Sequence, residues 1–103
     1  MKDILDRLDK ILEDRKNSRG DSSYVASLYD KGSKHICSKV LEEANELVEA
    51  TYENKQRMIH ESADLLFHVL VLLASHDIKY ARILEELENR FGTSGIEEKN
   101  NRK

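Results

Sequence analysis

The run of residues 65–74 is apolar in nearly every direction around a helix axis, and this feature limits how the chain can fold. It reads LLFHVLVLLA and is interrupted only by His68. The run is far too short to span a bilayer, and a helix that is apolar all round is normally buried all round. We therefore expect a helix over about 56–76 at the centre of the fold.

The scarcity of turn-forming residues favours an all-α fold. The 103-residue chain has no proline and only four glycines, too few for a β-sandwich or barrel. Apolar residues at helical spacing predict further helices over about 3–16, 23–32, 33–52 and 79–91. Ser22 or Ser23 is the expected N-cap of the second helix, and Ser33 that of the third. The length favours one domain over 1–103, with a polar tail over 92–103.

The two longest helices are joined by a short link and should pair with each other. We expect residues 34–53 and 56–76 to form an antiparallel hairpin. The shorter first and fifth helices would cover only part of the apolar fourth helix, whose burial is the main stabilising term. The sequence therefore predicts a helical bundle around a central hairpin, completed by a second copy in a homodimer.

Charge and cysteine content narrow the partners and the compartment. The net charge of −3 argues against nucleic acid, because a phosphate backbone needs a basic face. The single Cys37 cannot form an internal disulfide, which suits a reducing cytosol. The first residues show no apolar segment of a secretion signal. We expect a cytoplasmic protein that binds neither nucleic acid nor a membrane.

Paired acids on the two hairpin helices are the strongest candidates for chemistry. Glu43 and Glu46 lie one turn apart on the third helix, as Glu61 and Asp64 do on the fourth. If the hairpin closes, the two pairs face each other. Four carboxylates in one groove need a counter-ion, and a hard divalent cation with oxygen ligands is the natural one. Mg²⁺ fits because it shares its coordination positions with substrate phosphates.

The same residues also allow plain structural roles. Acids make up 20 of the 103 residues, so clusters of them arise by chance. A salt bridge from Lys39 would account for Asp64 near the core without a metal. His68 alone is more often a hydrogen-bonded core histidine than a ligand. A non-catalytic helical interaction module, whose acidic clusters are only solvated faces, therefore stays open.

The acids and their surroundings resemble a known family. Residues 42–46 (EEANE), then fourteen residues, then 61–64 (ESAD) resemble the EExxE…ExxD signature of the MazG-like all-α nucleotide pyrophosphohydrolases. Within that group the chain is similar to the phosphoribosyl-ATP pyrophosphohydrolases, through segments that occur in the same order along nearly its whole length. These are SYVASL at 23–28, KG at 31–32, KV at 39–40, ESADLLFHVLVLL at 61–73 and RFGTSGIEEK at 90–99. Leu41 departs from the pattern, which has glycine before the glutamate pair, but leucine suits a helix.

The resemblance implies an activity and roles for the acids. Such an enzyme hydrolyses phosphoribosyl-ATP to phosphoribosyl-AMP and pyrophosphate, the second step of histidine biosynthesis, by attack of water at the α-phosphorus. Mg²⁺ would neutralise the triphosphate and position the water. Its ligands would be Glu43, Glu46, Glu61 and Asp64. Glu42 or Glu46 would accept the proton of the water. A house-cleaning enzyme on ordinary or damaged nucleoside triphosphates would share the metal site and is the alternative.

The resemblance also suggests residues that contact the substrate. They are Ser23, Tyr24, Lys31, Lys39, His68, Lys99 and Arg102. The lysines of the helices can meet phosphates, although solvated lysines are more common. Ser23 and Tyr24 can present hydroxyl and backbone N–H groups to a phosphate at a helix start, with capping as the equal alternative. Lys99 and Arg102 lie in the polar tail, which we expect to close over substrate rather than to remain a solvated terminus.

Overall fold

The computed structural model of the chain describes residues 2–92, with side chains from residue 4 onward, and this part is entirely helical. The five α-helices are α1 (Lys2–Asp14), α2 (Tyr24–Lys31), α3 (Ser33–Ala50), α4 (Lys55–Ser75) and α5 (Tyr80–Phe91), with a short 3-10 turn at Arg15–Asn17 after α1. The prediction of an all-α fold is confirmed, and each helix lies close to its expected bounds.

Helices α3 and α4 form the central antiparallel hairpin that the sequence predicts. They pack along each other over most of their length, and residues 51–54 connect them. At the link, the Asn54 side chain caps α4 by accepting a hydrogen bond from the backbone N–H of Arg57 at 2.8 Å. At the open end, Ser33 Oγ and His76 Nε2 lie 2.9 Å apart, so the start of α3 meets the end of α4.

The hydrophobic core fills the half of the hairpin that lies away from the link. It is contributed by α1, α2, the first turns of α3 and the last turns of α4. Its buried members are Leu12, Val25, Leu28, Ile36, Leu70, Val71 and Ala74. Tyr29 ties α2 to α1, because its hydroxyl donates to the backbone oxygen of Leu12 at 2.9 Å. The half of the hairpin near the link therefore contributes no residue to this core cluster.

The two short-range caps predicted for α2 and α3 have different outcomes. Ser23 caps α2 as expected, since its Oγ accepts from the Ala26 backbone N–H at 3.0 Å. The cap predicted at Ser33 is wrong: Gly32 is the N-cap of α3, and Ser33 is already its first helical residue. Gly32 has φ +91°, which a side chain would strain, and it ends α2 and begins α3 within a single residue. No separate capping residue fits between the two helices.

The apolar fourth helix is only partly covered within one chain, as expected from the short flanking helices. Leu66 is 52% exposed and Ile59 64% exposed. Helix α1 packs on α4 while α2 packs mainly on α3, and α5 has no buried residue of its own. By length and composition alone α4 would also qualify as a membrane span. It carries the buried polar residues Glu61 and His68 and packs along α3, as the central helix of a bundle does.

The cap of α4 gives a direct test of the hairpin. Asn54→Ala should lower the free energy of unfolding by about 1 kcal/mol, because it removes the acceptor for the Arg57 N–H. Asn45→Ala is the matched control: Asn45 is exposed in the interior of α3, where alanine is the better helix former, so stability should stay equal or rise slightly. Urea unfolding of both variants measures the difference. Equal stabilities of the two would contradict the cap.

Candidate functional site

Three acids from the two hairpin helices meet near the link. Glu43 and Glu46 lie one turn apart on the face of α3 that meets α4, and Glu61 lies opposite on α4. One carboxylate oxygen from each falls within 4.8 Å of those of the other two. Carboxylate oxygens at this separation could hold a hard cation such as Mg²⁺ or Ca²⁺. The structure thus brings together three of the four acids that the sequence nominates as metal ligands.

Asp64, the fourth nominated acid, occupies the rim of this group. Its side chain is 43% exposed and lies 3.4 Å from His60 Nε2 through Oδ2. With His60 and Glu61 it forms a second set whose ligand atoms also lie within 4.8 Å of one another. The expectation that Asp64 lies near the core is wrong. The buried acid of α4 is Glu61, one turn earlier.

Two of the acids are buried more deeply than carboxylates normally are. Glu43 is 7% exposed and Glu61 3% exposed. In each, Oε2 has no hydrogen-bond partner within residues 2–92. A buried carboxylate oxygen without a partner is costly, and a bound cation is one of the few groups that can satisfy two of them at once. The residues present therefore fit a metal ion.

The surroundings of Glu43 favour its protonated form. Burial raises the pKa of the Glu43 carboxyl above its ordinary value, and the negative charge of Glu46, a hydrogen bond with Glu46 and the charge of Asp64 raise it further. His68 acts weakly in the opposite direction. A divalent cation would reverse this balance, since it favours the ionised carboxylates.

Lys39 borders the acids from α3. Its Nζ lies 3.3 Å from Glu42 Oε2 and 4.0 Å from Glu43 Oε1. Burial lowers the pKa of Lys39, but the hydrogen bond to Glu42 and the nearby negative charges raise it more, so the ammonium group stays charged. The salt bridge to Asp64 that would have explained that acid without a metal is not the one formed. Lys39 pairs along its own helix instead.

His68 and Tyr24 join α4 to α2 beside the acids. His68 is 5% exposed, and its Nδ1 lies 2.8 Å from the backbone oxygen of Asp64. A carbonyl can only accept, so Nδ1 carries the proton and Nε2 accepts from the Tyr24 hydroxyl at 2.8 Å. The interpretation of His68 as a hydrogen-bonded core histidine agrees with this geometry. The half-exposed Tyr24 ring stacks on Phe67 with centroids 6.3 Å apart and forms a wall of the site.

The remaining residues nominated for substrate form no ion pair or hydrogen bond with the clustered acids in the part of the chain that the structure describes. Ser23 is engaged as the cap of α2, although its hydroxyl can still donate a hydrogen bond. Lys31 stands at the opposite end of α2 from Tyr24, about 10 Å along the helix axis. Within residues 2–92 it forms no ion pair with the clustered acids. Lys99 and Arg102 lie outside the described residues.

Two neighbours of the acids were missed in the sequence. Arg57 Nη2 lies 2.8 Å from Glu61 Oε1, and Arg57 Nε lies 3.8 Å from Glu53 Oε2. His60 contacts Asp64 in the same way, from one turn earlier. Both pairs have the i, i+4 spacing of helical ion pairs, which the sequence displays. That spacing was the available signal, but it does not reveal which member of a pair is buried.

A concavity at the other end of the hairpin lacks these features. Its volume is about 330 Å³, and it is lined by Lys16, Tyr29, Gly32, Ser33, Ile36, Ser75 and Asp77. Among the described residues, the buried side-chain oxygens without a partner belong to Glu43 and Glu61, not to this cavity. We place the candidate site on the acids for that reason.

Comparison with known proteins gives one consistent family over nearly the whole chain. Residues 5–91 match the sequence profile of a family described as phosphoribosyl-ATP pyrophosphohydrolase. A phosphoribosyl-ATP pyrophosphatase of Vesicomyosocius okutanii is 48% identical over 103 residues, which is 99% of this chain and 98% of the relative. Proteins of the same name from Hydrogenovibrio crunogenus and Geobacter metallireducens are 50% and 48% identical. Each aligns with 97% of this chain and 93% of its own length.

The burial of Glu43 leads to a prediction about stability and pH. In EDTA near pH 8, Glu43→Gln should raise the free energy of unfolding by about 1–3 kcal/mol, because the amide removes a buried charge. The folded-state pKa lies above the ordinary 4.5, so the wild type loses stability as pH rises through that window. The advantage of the variant should therefore shrink as pH falls toward 4.5.

Thermal unfolding across this pH range measures the effect. Glu85→Gln is the control, because the Glu85 side chain is 66% exposed on α5 and should give no comparable gain. A Glu43→Gln protein that is less stable than the wild type near pH 8 in EDTA would contradict the prediction.

Proposed function

Because the chain belongs to the phosphoribosyl-ATP pyrophosphohydrolase family, we propose that it hydrolyses phosphoribosyl-ATP to phosphoribosyl-AMP and pyrophosphate, the second step of histidine biosynthesis. The observation that carries the proposal is the meeting of Glu43, Glu46 and Glu61 between α3 and α4, with two buried carboxylate oxygens unpartnered. A triphosphate is repelled by such a groove unless a cation lies between them. The site therefore suits a reaction that uses metal and phosphate together.

We assign Mg²⁺ as the cation of this site. The donors of the central cluster are carboxylate oxygens, which hard cations prefer, and Mg²⁺ commonly binds through few carboxylates plus substrate phosphates. Glu43, Glu46 and Glu61 would hold it, with Asp64 contributing from the rim. When bound, Mg²⁺ supplies neutralisation of the triphosphate and a water of lowered pKa.

The chain's own residues would bind the substrate and accept the proton. Attack of water on the α-phosphorus requires a base within hydrogen-bond reach of that water. Glu46 is the better candidate, because it lies inside the acid cluster, whereas Glu42 is exposed and paired with Lys39. The proton passes to the carboxylate as the new P–O bond forms, and pyrophosphate leaves as the bond between the α-phosphorus and the bridging oxygen breaks.

Basic and hydroxyl groups around the acids would orient the phosphates. The Lys39 ammonium group stands at the edge of the cluster, where a phosphate can replace Glu42 as its partner. Tyr24, held by His68, borders the site from α2, with Ser23 at the start of the same helix. Three residues would serve the distant phosphoribosyl end: Lys31, Lys99 and Arg102.

The exposed apolar residues favour a homodimer. Ile59, Ala63 and Leu66 share one exposed face of α4 at i, i+4 and i+7 spacing. Val48 near the end of α3 is 60% exposed, and Tyr52 in the link that follows is 88% exposed. Contiguous apolar surface of this kind is normally covered by another chain. We propose that the partner is a second copy of this chain. We also propose that the protein acts in the cytoplasm and binds neither nucleic acid nor a membrane.

Conservative removal of single acids tests the catalytic site. Glu46→Gln and Asp64→Asn should each lower pyrophosphate release from phosphoribosyl-ATP by roughly 100-fold or more, the usual loss when one group that stabilises a transition state is removed. Both variants should remain folded in EDTA, because each amide lowers repulsion among the acids. Glu85→Gln on α5 is the control. Full activity in Glu46→Gln would refute the site. Equal or higher wild-type rates on ordinary nucleoside triphosphates would favour the house-cleaning alternative.

The dimer is tested by placing a charge on the exposed face of α4. Leu66→Lys should shift the protein from dimer to monomer in sedimentation at micromolar concentration, because a buried ammonium at an apolar interface is costly. The change should be tolerated within the chain, since Leu66 is already 52% exposed. A wild-type protein that sediments as a monomer under these conditions would contradict the dimer.

A further inference from the structure

Each of the two buried acids has a base one helical turn before it. Arg57 precedes Glu61 by four residues on α4, and Lys39 precedes Glu43 by four residues on α3. Both bases reach the same oxygen of their acid: Arg57 Nη2 lies 2.8 Å from Oε1 of Glu61, and Lys39 Nζ lies 4.0 Å from Oε1 of Glu43. In both acids Oε2 is the atom without a partner. In each buried carboxylate, therefore, one oxygen faces a base of its own helix and the other oxygen has no partner in the described chain.

Arg57 is the stronger of the two counter-ions. Its ion pair with Glu61 is close, at 2.8 Å, and Glu61 is the more deeply buried acid at 3% exposure. The Arg57 side chain is 45% exposed, so the ion pair joins a buried carboxylate to a side chain that reaches solvent. Without it, Glu61 would keep a buried negative charge with no partner within the described chain.

The same guanidinium acts against a metal ion at this site. A divalent cation at the acid cluster would come within several ångströms of the Arg57 charge, and like charges repel at that distance even through water. Arg57 stabilises the cation-free protein and destabilises the cation-bound protein. Both effects make binding less favourable, so the residue must lower metal affinity. A cation that arrives with phosphates is repelled less, because the phosphate charges offset the guanidinium.

We propose that Arg57 is a built-in counter-ion of Glu61 that stabilises the protein without metal and weakens its affinity for free divalent cations. This inference rests on the proposed metal site and assigns Arg57 no contact with substrate. The site would consequently load its cation best together with the triphosphate.

The test uses the full chain and Mn²⁺ as the probe, with binding measured by calorimetry and by the paramagnetic resonance of free Mn²⁺. Arg57→Met removes the charge and keeps the apolar stem. Arg57→Gln also removes the charge but keeps a polar side chain, so it serves if Arg57→Met fails to fold. Arg90→Met is the matched control, because Arg90 pairs with Glu86 at 2.9 Å, at the same spacing and with similar exposure of 48%.

In Arg57→Met, Mn²⁺ should bind roughly 10-fold more tightly than in the wild type. This is the effect of the repulsion between a single and a double positive charge about 6 Å apart in water. The melting temperature in EDTA should fall by more than in Arg90→Met. Addition of inorganic pyrophosphate should reduce the affinity difference between wild type and variant. Arg57→Lys, which keeps the charge, should bind Mn²⁺ about as the wild type does.

The failures are distinguishable. A wild type that binds no Mn²⁺ would overturn the metal site and this inference with it. If the wild type binds Mn²⁺ and both Arg57→Met and Arg57→Gln bind it equally well or more weakly, the role of Arg57 alone would be overturned. A difference that persists undiminished with pyrophosphate would overturn the loading of cation with phosphate.

Discussion

The burial of two carboxylates across one helix pair is the constraint on which the rest of this structure depends. Glu43 and Glu61 face each other between α3 and α4 with little access to solvent, although burying a carboxylate is unfavourable. Such an arrangement persists only if something else holds the hairpin together. Here the hydrophobic core does so from the opposite half of the same two helices, where Ile36 and Val71 are fully buried.

The residues that stabilise the fold and the residues of the candidate site therefore occupy opposite halves of one hairpin. The open end is fastened by α1 and α2, and the link end carries the acids and their bases. Tyr24 and His68 connect the two halves, because α2 belongs to the core through Leu28 and reaches the acids through its first residue. Repulsion among the acids therefore acts outside the buried core cluster. A cation or a substituted amide can change that region without disturbing the core.

The acids also explain why neighbouring basic residues matter beyond simple ion pairing. An exposed pair such as Arg90 and Glu86 contributes little, because water screens both charges. The same spacing at Arg57 and Glu61 involves a buried partner, so each charge depends on the other. A metal site built this way has an internal competitor for its ligands. The exposed apolar side chains of α4 and α5 lie outside this charge network, and their burial depends on what packs against them.

Local patterns in the sequence determined the helices, their approximate bounds, the hairpin, and the candidate acids on each helix. These properties depend on spacing along the chain, and a period of 3.6 residues is visible without any knowledge of neighbours. The cap at Ser23 belongs to the same class, because it acts within one turn. The signature at 42–46 and 61–64 was readable for this reason as well.

Only the tertiary structure decided which of those residues are buried and what they touch. Spacing places Glu61 and Asp64 on one helix face but does not say that the first is buried and the second half exposed, because that depends on where α3 crosses. The bond between Tyr24 and His68 spans 44 residues and has no local signal. Gly32 replaced Ser33 as a cap because two helices meet there at a positive φ. Burial, and with it the energetic weight of each charge, is a property of the packed helices and not of any one of them.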